Sequence, residues 1–204
     1  MKTLRMFGLV TALTAIGLSG CATMTDTMSA AAGMGVVHQE RSTFDNATVV
    51  TVSPMPLWAK GSWGNAVQLG ARWSSATPDH VALEMAYRAT ANAGSNAFTS
   101  LSGVDINVDG EITHWQVGAP TQLSNSGYNT VSRTIYTASQ NSVIIPYSLL
   151  QRMVSAKDCR LRIHTGEGYE DAQFNIERIP GGQPTAIHSI KKFMAQVDVA
   201  RGQP

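Results

Sequence analysis

Residues 105–116, DINVDGEITHWQ, carry oxygen ligands at the spacing of a calcium-binding loop. Loops of the EF-hand type place oxygen ligands at positions 1, 3 and 5, a glycine at position 6 and a bidentate glutamate at position 12. Asp105, Asn107 and Asp109 occupy the first three ligand positions, and a glycine follows them. Position 12 is Gln116, whose neutral amide cannot supply bidentate carboxylate coordination. Asp105, Asn107 and Asp109 are therefore calcium candidates that lack the strongest ligand.

The same segment also fits a β-hairpin closed by Asp109-Gly110. Asp-Gly supplies the positive φ values that a type I′ turn requires, and apolar and polar residues alternate before it. The flanking segments contain glycine, serine and proline and do not resemble the two helices of an EF-hand. We therefore expect a hairpin here, and no metal or cofactor in the protein. The predicted cross-strand pairs are Val108 with Glu111, Ile106 with Thr113, and Val104 with Trp115.

A second segment with possible chemistry is residues 165–171, TGEGYED, which follows a predicted strand carrying two arginines and His164 on one face. Glu170 or Asp171 would serve as a general acid or base if its pKa were raised. The two carboxylates would alternatively contact a ligand or partner together with Tyr169. A structural role, in which they pair with the arginines or are solvated at a loop tip, is the third alternative, and the sequence leaves all three open.

Two tryptophans in a predicted loop, Trp58 and Trp63, flank a lysine. Tryptophan is favoured at interfaces because of its large flat side chain, and it is also a common core residue. Core packing and contact with a partner or glycan are therefore both open. The candidate residues for partner or ligand binding are Trp58, Trp63, Tyr169, Glu170 and Asp171.

The N-terminal residues form a targeting segment. An apolar stretch of about thirteen residues, 7–19, follows two basic residues and is too short to span a bilayer. The segment ends in Leu18-Ser19-Gly20-Cys21, which resembles the lipobox of bacterial lipoproteins. The resemblance covers only the first tenth of the chain. It implies that residues 1–20 are removed and that Cys21 is acylated, with palmitate among its acyl chains, to form a membrane anchor.

The resemblance also implies a location and a charge for the mature chain. An aspartate after the cysteine often retains lipoproteins in the inner membrane, whereas this chain has Ala22. In a Gram-negative host this implies an outer-membrane anchor, with the domain facing the periplasm. Loss of Lys2 and Arg5 with the signal changes the formal net charge from +1 to −1. A near-neutral chain gives no electrostatic reason to expect nucleic acid as a partner.

The order of predicted elements favours an α+β fold with a mostly antiparallel, sandwich-like sheet core. Amphipathic stretches predict two late helices, at about 146–156 and 185–199. Segments 88–97 and 118–129 are rich in small polar residues and predict loops. Alternation or β-branched residues predict the strands 47–52, 67–73, 81–87, 104–108, 111–115, 130–138, 142–145, 159–165 and 172–179.

The predicted organisation has a signal at 1–20, a lipidated cysteine and flexible tether at 21–35, and one soluble globular domain at 36–204. Fully extended, the tether would reach about 45 Å. In the strand 159–165, Cys159 shares a face with Leu161 and Ile163, so we expect a buried thiol, with a reactive thiol or an intermolecular disulfide as the alternatives.

The sequence has no nucleophile elbow, phosphate-binding loop, dinucleotide fingerprint or zinc-protease motif, and its five histidines show no metal-type spacing. We therefore expect a non-catalytic binding or accessory module of the cell envelope, with an envelope protein or a glycan as its partner. One alternative is an envelope hydrolase that uses Glu170, Asp171 or His164. Another is a protein that binds a small apolar ligand.

Overall fold

A computed structural model describes residues 16–59, 67–91, 98–131 and 133–202. The described chain is mostly antiparallel β-sheet with two late helices, which confirms the predicted α+β fold class. The helices are α1 (Ile16–Ala31), α2 (Tyr147–Ser155) and α3 (Ala186–Ala200). The strands are β1 (Val37–Arg41), β2 (Thr48–Pro56), β3 (Val67–Ser74), β4 (His80–Ala91), β5 (Leu101–Val108), β6 (Glu111–Gln116), β7 (Gln122–Asn129), β8 (Thr134–Pro146), β9 (Cys159–Thr165) and β10 (Gly168–Gln173).

The strands form two antiparallel sheets. The larger sheet has six strands in the order β1-β2-β3-β4-β8-β7, and the smaller sheet has four in the order β10-β9-β5-β6. In the larger sheet, β3 buries every second side chain, from Val67 to Trp73, as the alternating sequence predicts. The two longest strands, β4 and β8, pair from His80 with Pro146 to Ala91 with Ile135.

The hairpin predicted from Asp109-Gly110 is confirmed. Asp109 has φ 50° and Gly110 has φ 98°, as a type I′ turn requires. The three predicted cross-strand pairs are the observed ones. Because strands and not helices flank the turn, residues 105–116 do not form an EF-hand loop.

The inward faces of both sheets and one side of α3 share a single buried cluster. Cys159, Leu161 and Ile163 extend into this cluster from β9, which confirms the predicted burial of the thiol. Burial raises the pKa of the Cys159 thiol to about 12, so the group stays protonated at neutral pH. From the other side α3 packs on β1, β2 and β3; its buried side chains include Ile187, Ile190, Phe193 and Val197.

The two late helices occupy their predicted positions. Pro146 immediately precedes α2, where its fixed φ suits the start of a helix. The apolar stripe of α2 is buried, with Leu150 and Met153 fully inaccessible to solvent. Amphipathic spacing therefore predicted the type, position and buried face of both helices.

Several predicted loops and strand ends are wrong. Residues 122–129 form β7 because they pair with β8, although the segment has a loop-like composition. β4 continues to Ala91 for the same reason. β2 continues through Pro54 to Pro56, because the register of its pairing with β3 shifts between Val52 and Met55 and a proline is tolerated at such an irregularity. In the last third, the strand expected at 172–179 lies earlier, as β10 at 168–173.

Residues 21–35 were predicted to form a flexible tether, but residues 21–31 of this segment are helical and belong to α1. Asp26 on α1 forms an ion pair with Arg178, which lies 152 residues later in the chain. Ser29 is buried, and Thr25 donates a hydrogen bond to the carbonyl oxygen of Gly182. Sequence composition could not reveal these contacts because their partners are remote. Within the part of the chain that the structure describes, no helix has the length and apolarity to cross a membrane.

Candidate functional site

The outer face of the four-stranded sheet brings polar side chains from four strands together. Strand alternation buries one side of each strand and leaves the other side for this face. Three rows of cross-strand neighbours cross β10, β9, β5 and β6 in turn. The rows are Tyr169, His164, Gly103 and Gln116; Asp171, Arg162, Asp105 and His114; and Gln173, Arg160, Asn107 and Ile112.

Asp105 lies at the centre of this face, between two histidines. Its carboxylate oxygens are 2.8 Å from Nδ1 of His114 and 3.0 Å from Nε2 of His164. The Asp105 side chain is 22% exposed to solvent, which makes it less exposed than the side chains of His114 and His164. Partial burial acts to raise the Asp105 pKa, but the hydrogen bonds from the histidines outweigh it and lower the pKa below its ordinary value. Asp105 is therefore ionised and orients both imidazoles.

Arg162 is the second centre of the face. It donates two parallel hydrogen bonds to the Asp171 carboxylate, at 2.7 and 2.8 Å, and its guanidinium lies 4.0 Å from the centre of the Tyr169 ring. The two hydrogen bonds to Asp171 fix the orientation of the Arg162 guanidinium plane, and the Tyr169 ring packs against one face of that plane. The hydrogen bond from Arg162 lowers the pKa of Asp171, so this carboxyl is ionised at neutral pH and unsuited to act as a general acid.

A groove of about 770 Å³ runs over this face. Trp58 closes one edge, where its carbonyl oxygen accepts a hydrogen bond from the backbone N–H of Gln173 at 2.8 Å. The groove is lined by Trp58, Ala59, Asp105, Asn107, Ile112, His114, Arg160, Leu161, Arg162, Asp171, Ala172 and Gln173. None of these described lining residues is a serine, threonine or cysteine, so none of them offers a hydroxyl or thiol nucleophile.

The structure places the predicted binding residues as follows. Trp58 and Asp171 line the same groove, and Tyr169 stands beside it on Arg162. Glu170 is directly opposite the buried Ile163, so it lies on the other face of β10. The chain segment with Trp63 is outside the described residues. Glu170 is therefore separated from the residues with which it was grouped.

The hydrolase alternative required Glu170, Asp171 and His164 to meet in one pocket. His164 and Asp171 share the outer face, but Glu170 does not. The Asp171 carboxylate is held by Arg162, and His164 is held by Asp105. The predicted three-residue acid–base cluster is therefore not formed.

The calcium candidates are also separated. Asp105 and Asn107 point to the groove, where Asp105 is engaged by the two histidines. Asp109 lies in the turn, and its carboxylate accepts a hydrogen bond from the backbone N–H of Asp158. Among the described residues, no group of three or more histidine, cysteine or acidic side chains has the geometry of a metal site.

Sequence reasoning missed Asp105, His114 and Arg162 as members of one site. A signal was present, because the predicted hairpin register already put Asp105 opposite His114. The pairing of β5 with β9, which adds His164 and Arg162, joins residues almost sixty positions apart and had no local signature.

No family model, curated protein or solved structure matches this chain. The fold and the groove are therefore the basis for an assignment of function.

Proposed function

We propose that this protein is a lipid-anchored, non-catalytic binding module of the bacterial envelope, and that the groove on the outer face of its four-stranded sheet binds a polar glycan. The groove carries the proposal, since a broad concavity that is lined by charged and polar side chains together with apolar surface, and that has Trp58 at its edge, has the chemistry of a binding surface. The anchor is proposed from the lipobox-like Leu18-Ser19-Gly20-Cys21. Ala22 supports an outer-membrane location and a periplasmic orientation.

The charges of the groove favour an uncharged or zwitterionic ligand. Arg160 and Arg162 are balanced by Asp105 and Asp171, and both arginines are already paired with carboxylates, Arg160 with Asp158. A strongly anionic polymer would have to compete with these carboxylates. Hydroxyl and amide groups could instead hydrogen-bond to the exposed edges of the pairs, with water filling gaps.

The same density of charge disfavours an obligate protein interface. The buried centre of such an interface is depleted in charged residues and is largely apolar. Here four charged side chains and His114 surround Asn107 and Ile112. A glycan that lies across the strands, with one sugar face on the Trp58 indole, fits this surface better.

Co-sedimentation with purified peptidoglycan sacculi tests the proposal. The mature protein is compared with a groove variant, Arg162→Ala with His114→Ala, and with the matched surface variant Arg88→Ala on β4. All three substituted side chains are exposed, so the fold should be retained, which circular dichroism would verify.

We expect wild type and Arg88→Ala to sediment equally, and the groove variant to lose most of its binding. Equal sedimentation of all three proteins would remove the groove from the ligand site. If sacculi bind none of them, mild in-cell cross-linking followed by mass spectrometry shows whether an envelope protein is captured through the groove instead. A fractionation experiment with Cys21→Ser tests the anchor separately, since this variant should leave the membrane fraction.

A further inference from the structure

The outward side of α1 exposes two methionines next to the cysteine that is proposed to carry lipid. Met24 and Met28 are 66% and 63% exposed. With 3.6 residues per turn, the positions of Met24 and Met28 lie within about 60° of position 21 around the helix axis. Two exposed apolar side chains thus follow the lipidated position along one side of the helix.

The opposite side of α1 is fastened to the body. Arg178 binds Asp26 through two hydrogen bonds, at 2.9 and 3.0 Å, and His188 Nε2 is 3.3 Å from the same carboxylate. Ser29 is buried one turn later. The helix therefore separates into a side that docks on the protein and a side that presents methionine to solvent.

The short distance between the lipidated position and the docked residue limits how far the body can move from a bilayer. Asp26 is five residues after Cys21, which in a helix is about 7.5 Å along the axis. A flexible tether of the same segment would have allowed about 45 Å. An acyl chain at position 21 would therefore hold the body against the membrane surface.

The basic residues around the docked helix suit an anionic bilayer. Arg178, Lys191 and Lys192 lie in this region, against Asp26 and Glu177. The formal balance is one positive charge in excess. Arg178 and Lys191 are already paired with Asp26 and Glu177, whereas Lys192 is exposed and its positive charge contributes to lowering the pKa of Asp26. Juxtamembrane basic side chains are attracted to anionic headgroups.

We propose that α1 is a membrane-contacting helix, which lies on an anionic phospholipid bilayer with Met24 and Met28 in the interface and holds the body directly against the membrane. This inference rests on the proposed acylation of Cys21. Methionine is flexible and suits the irregular acyl–headgroup boundary. Burial of the two exposed side chains in the interface adds to the anchoring by the acyl chains.

Quenching by membrane-embedded nitroxides tests the orientation of α1. The lipidated protein is reconstituted into vesicles of phosphatidylethanolamine and phosphatidylglycerol that contain acyl-chain nitroxide lipid. A fluorophore is attached at Met28→Cys or, as the matched control, at Ala30→Cys, which is also exposed but lies about 160° away around the helix. The buried Cys159 thiol does not compete for the label.

We expect the fluorophore at position 28 to be quenched several-fold more strongly than the one at position 30. If the protein floats with the vesicles but the two positions are quenched equally, or neither is quenched, the lipid anchor stands and the membrane-contacting helix is refuted. If the protein does not float with the vesicles, the anchor itself is refuted, and the orientation of α1 with it. Flotation and quenching therefore separate the failure of the two proposals.

Discussion

Removal of the Asp26 carboxylate should release α1 from the body without unfolding the sheets. In the native protein Arg178 donates two hydrogen bonds to Asp26, and about a quarter of each side chain is exposed. An Asp26→Ala substitution removes both bonds and leaves the Arg178 guanidinium with the carbonyl oxygen of Gly182. The perturbation therefore acts on the contact that docks the helix.

The expected effect is about 2 kcal/mol. A hydrogen bond to a charged group contributes about 1.5–3 kcal/mol, and solvent screening of a partly exposed pair keeps the total near the lower part of that range. Since about 1.4 kcal/mol corresponds to a factor of ten, the opening equilibrium of α1 should increase about thirtyfold. Neither Asp26 nor Arg178 belongs to the buried cluster between the sheets, so the sheets should keep their stability.

Amide hydrogen exchange measures this local opening. The chain with Cys21→Ser is compared with the same chain carrying Asp26→Ala, and Arg160→Ala serves as the control because its pair with Asp158 is largely exposed. Protection of amides in 26–31 should fall about thirtyfold in Asp26→Ala, whereas β9 amides should not change. Unchanged protection of α1 in Asp26→Ala would show that the ion pair does not dock the helix.

The same contact should depend on pH. The hydrogen bond from Arg178 is the largest cause that lowers the pKa of Asp26 from its ordinary value of 3.8. A carboxyl whose pKa is lower in the folded state stabilises that state above the ordinary pKa, and the contribution is lost as the pH falls through the folded pKa. Protection of α1 should therefore be constant near neutral pH and decline below about pH 4. A loss of protection centred near neutral pH would contradict this assignment.

Three further predictions concern the body. Gly70→Ala should lower the free energy of unfolding in urea by about 1–3 kcal/mol. The new Cβ would lie 2.6 Å from a backbone carbonyl oxygen of β2. Gly118→Ala is the control and should have little effect, because its Cβ would meet no atom within 4 Å. In the Cys21→Ser chain, Cys159 should react with a thiol reagent only after denaturant is added, since burial holds its thiol pKa at about 12; rapid native labelling would oppose this. Burial is the largest cause that raises the pKa of Glu84. The stability of wild type should thus fall as the pH rises from the ordinary value of 4.5 through the folded pKa, and Glu84→Gln should lose this fall; identical pH profiles would contradict it.

The hairpin β5–β6 shows how far local sequence signals extend. Asp109-Gly110 specified the turn, and alternation on both sides specified the register, so the sequence alone predicted which residues face each other. The same signals disfavoured an EF-hand loop, and the flanking strands of the structure exclude it. Amphipathic periodicity likewise placed α2 and α3, since both helices bury one apolar stripe.

Composition misled the prediction where a remote partner decides the conformation. Residues 122–129 are rich in the serine, asparagine and glycine of loops, but β8 offers an unpaired edge and the segment becomes β7. Residues 21–31 look like a linker, but Arg178 provides a partner for the one carboxylate in the segment, and the helix docks. In both cases the stabilisation from contacts with a distant element exceeded the weak local preference of the segment for a loop.

The sequence by itself determined the α+β class, the late helices, the Asp-Gly hairpin and the buried Cys159, because each depends on turn chemistry or on a period of 2 or 3.6 residues. Only the tertiary structure decided which polar residues form the groove. β9 and β10 must pair beside β5 before Arg162, Asp171 and the two histidines surround Asp105. Strand order depends on the packing of whole sheets, so no local pattern specifies it.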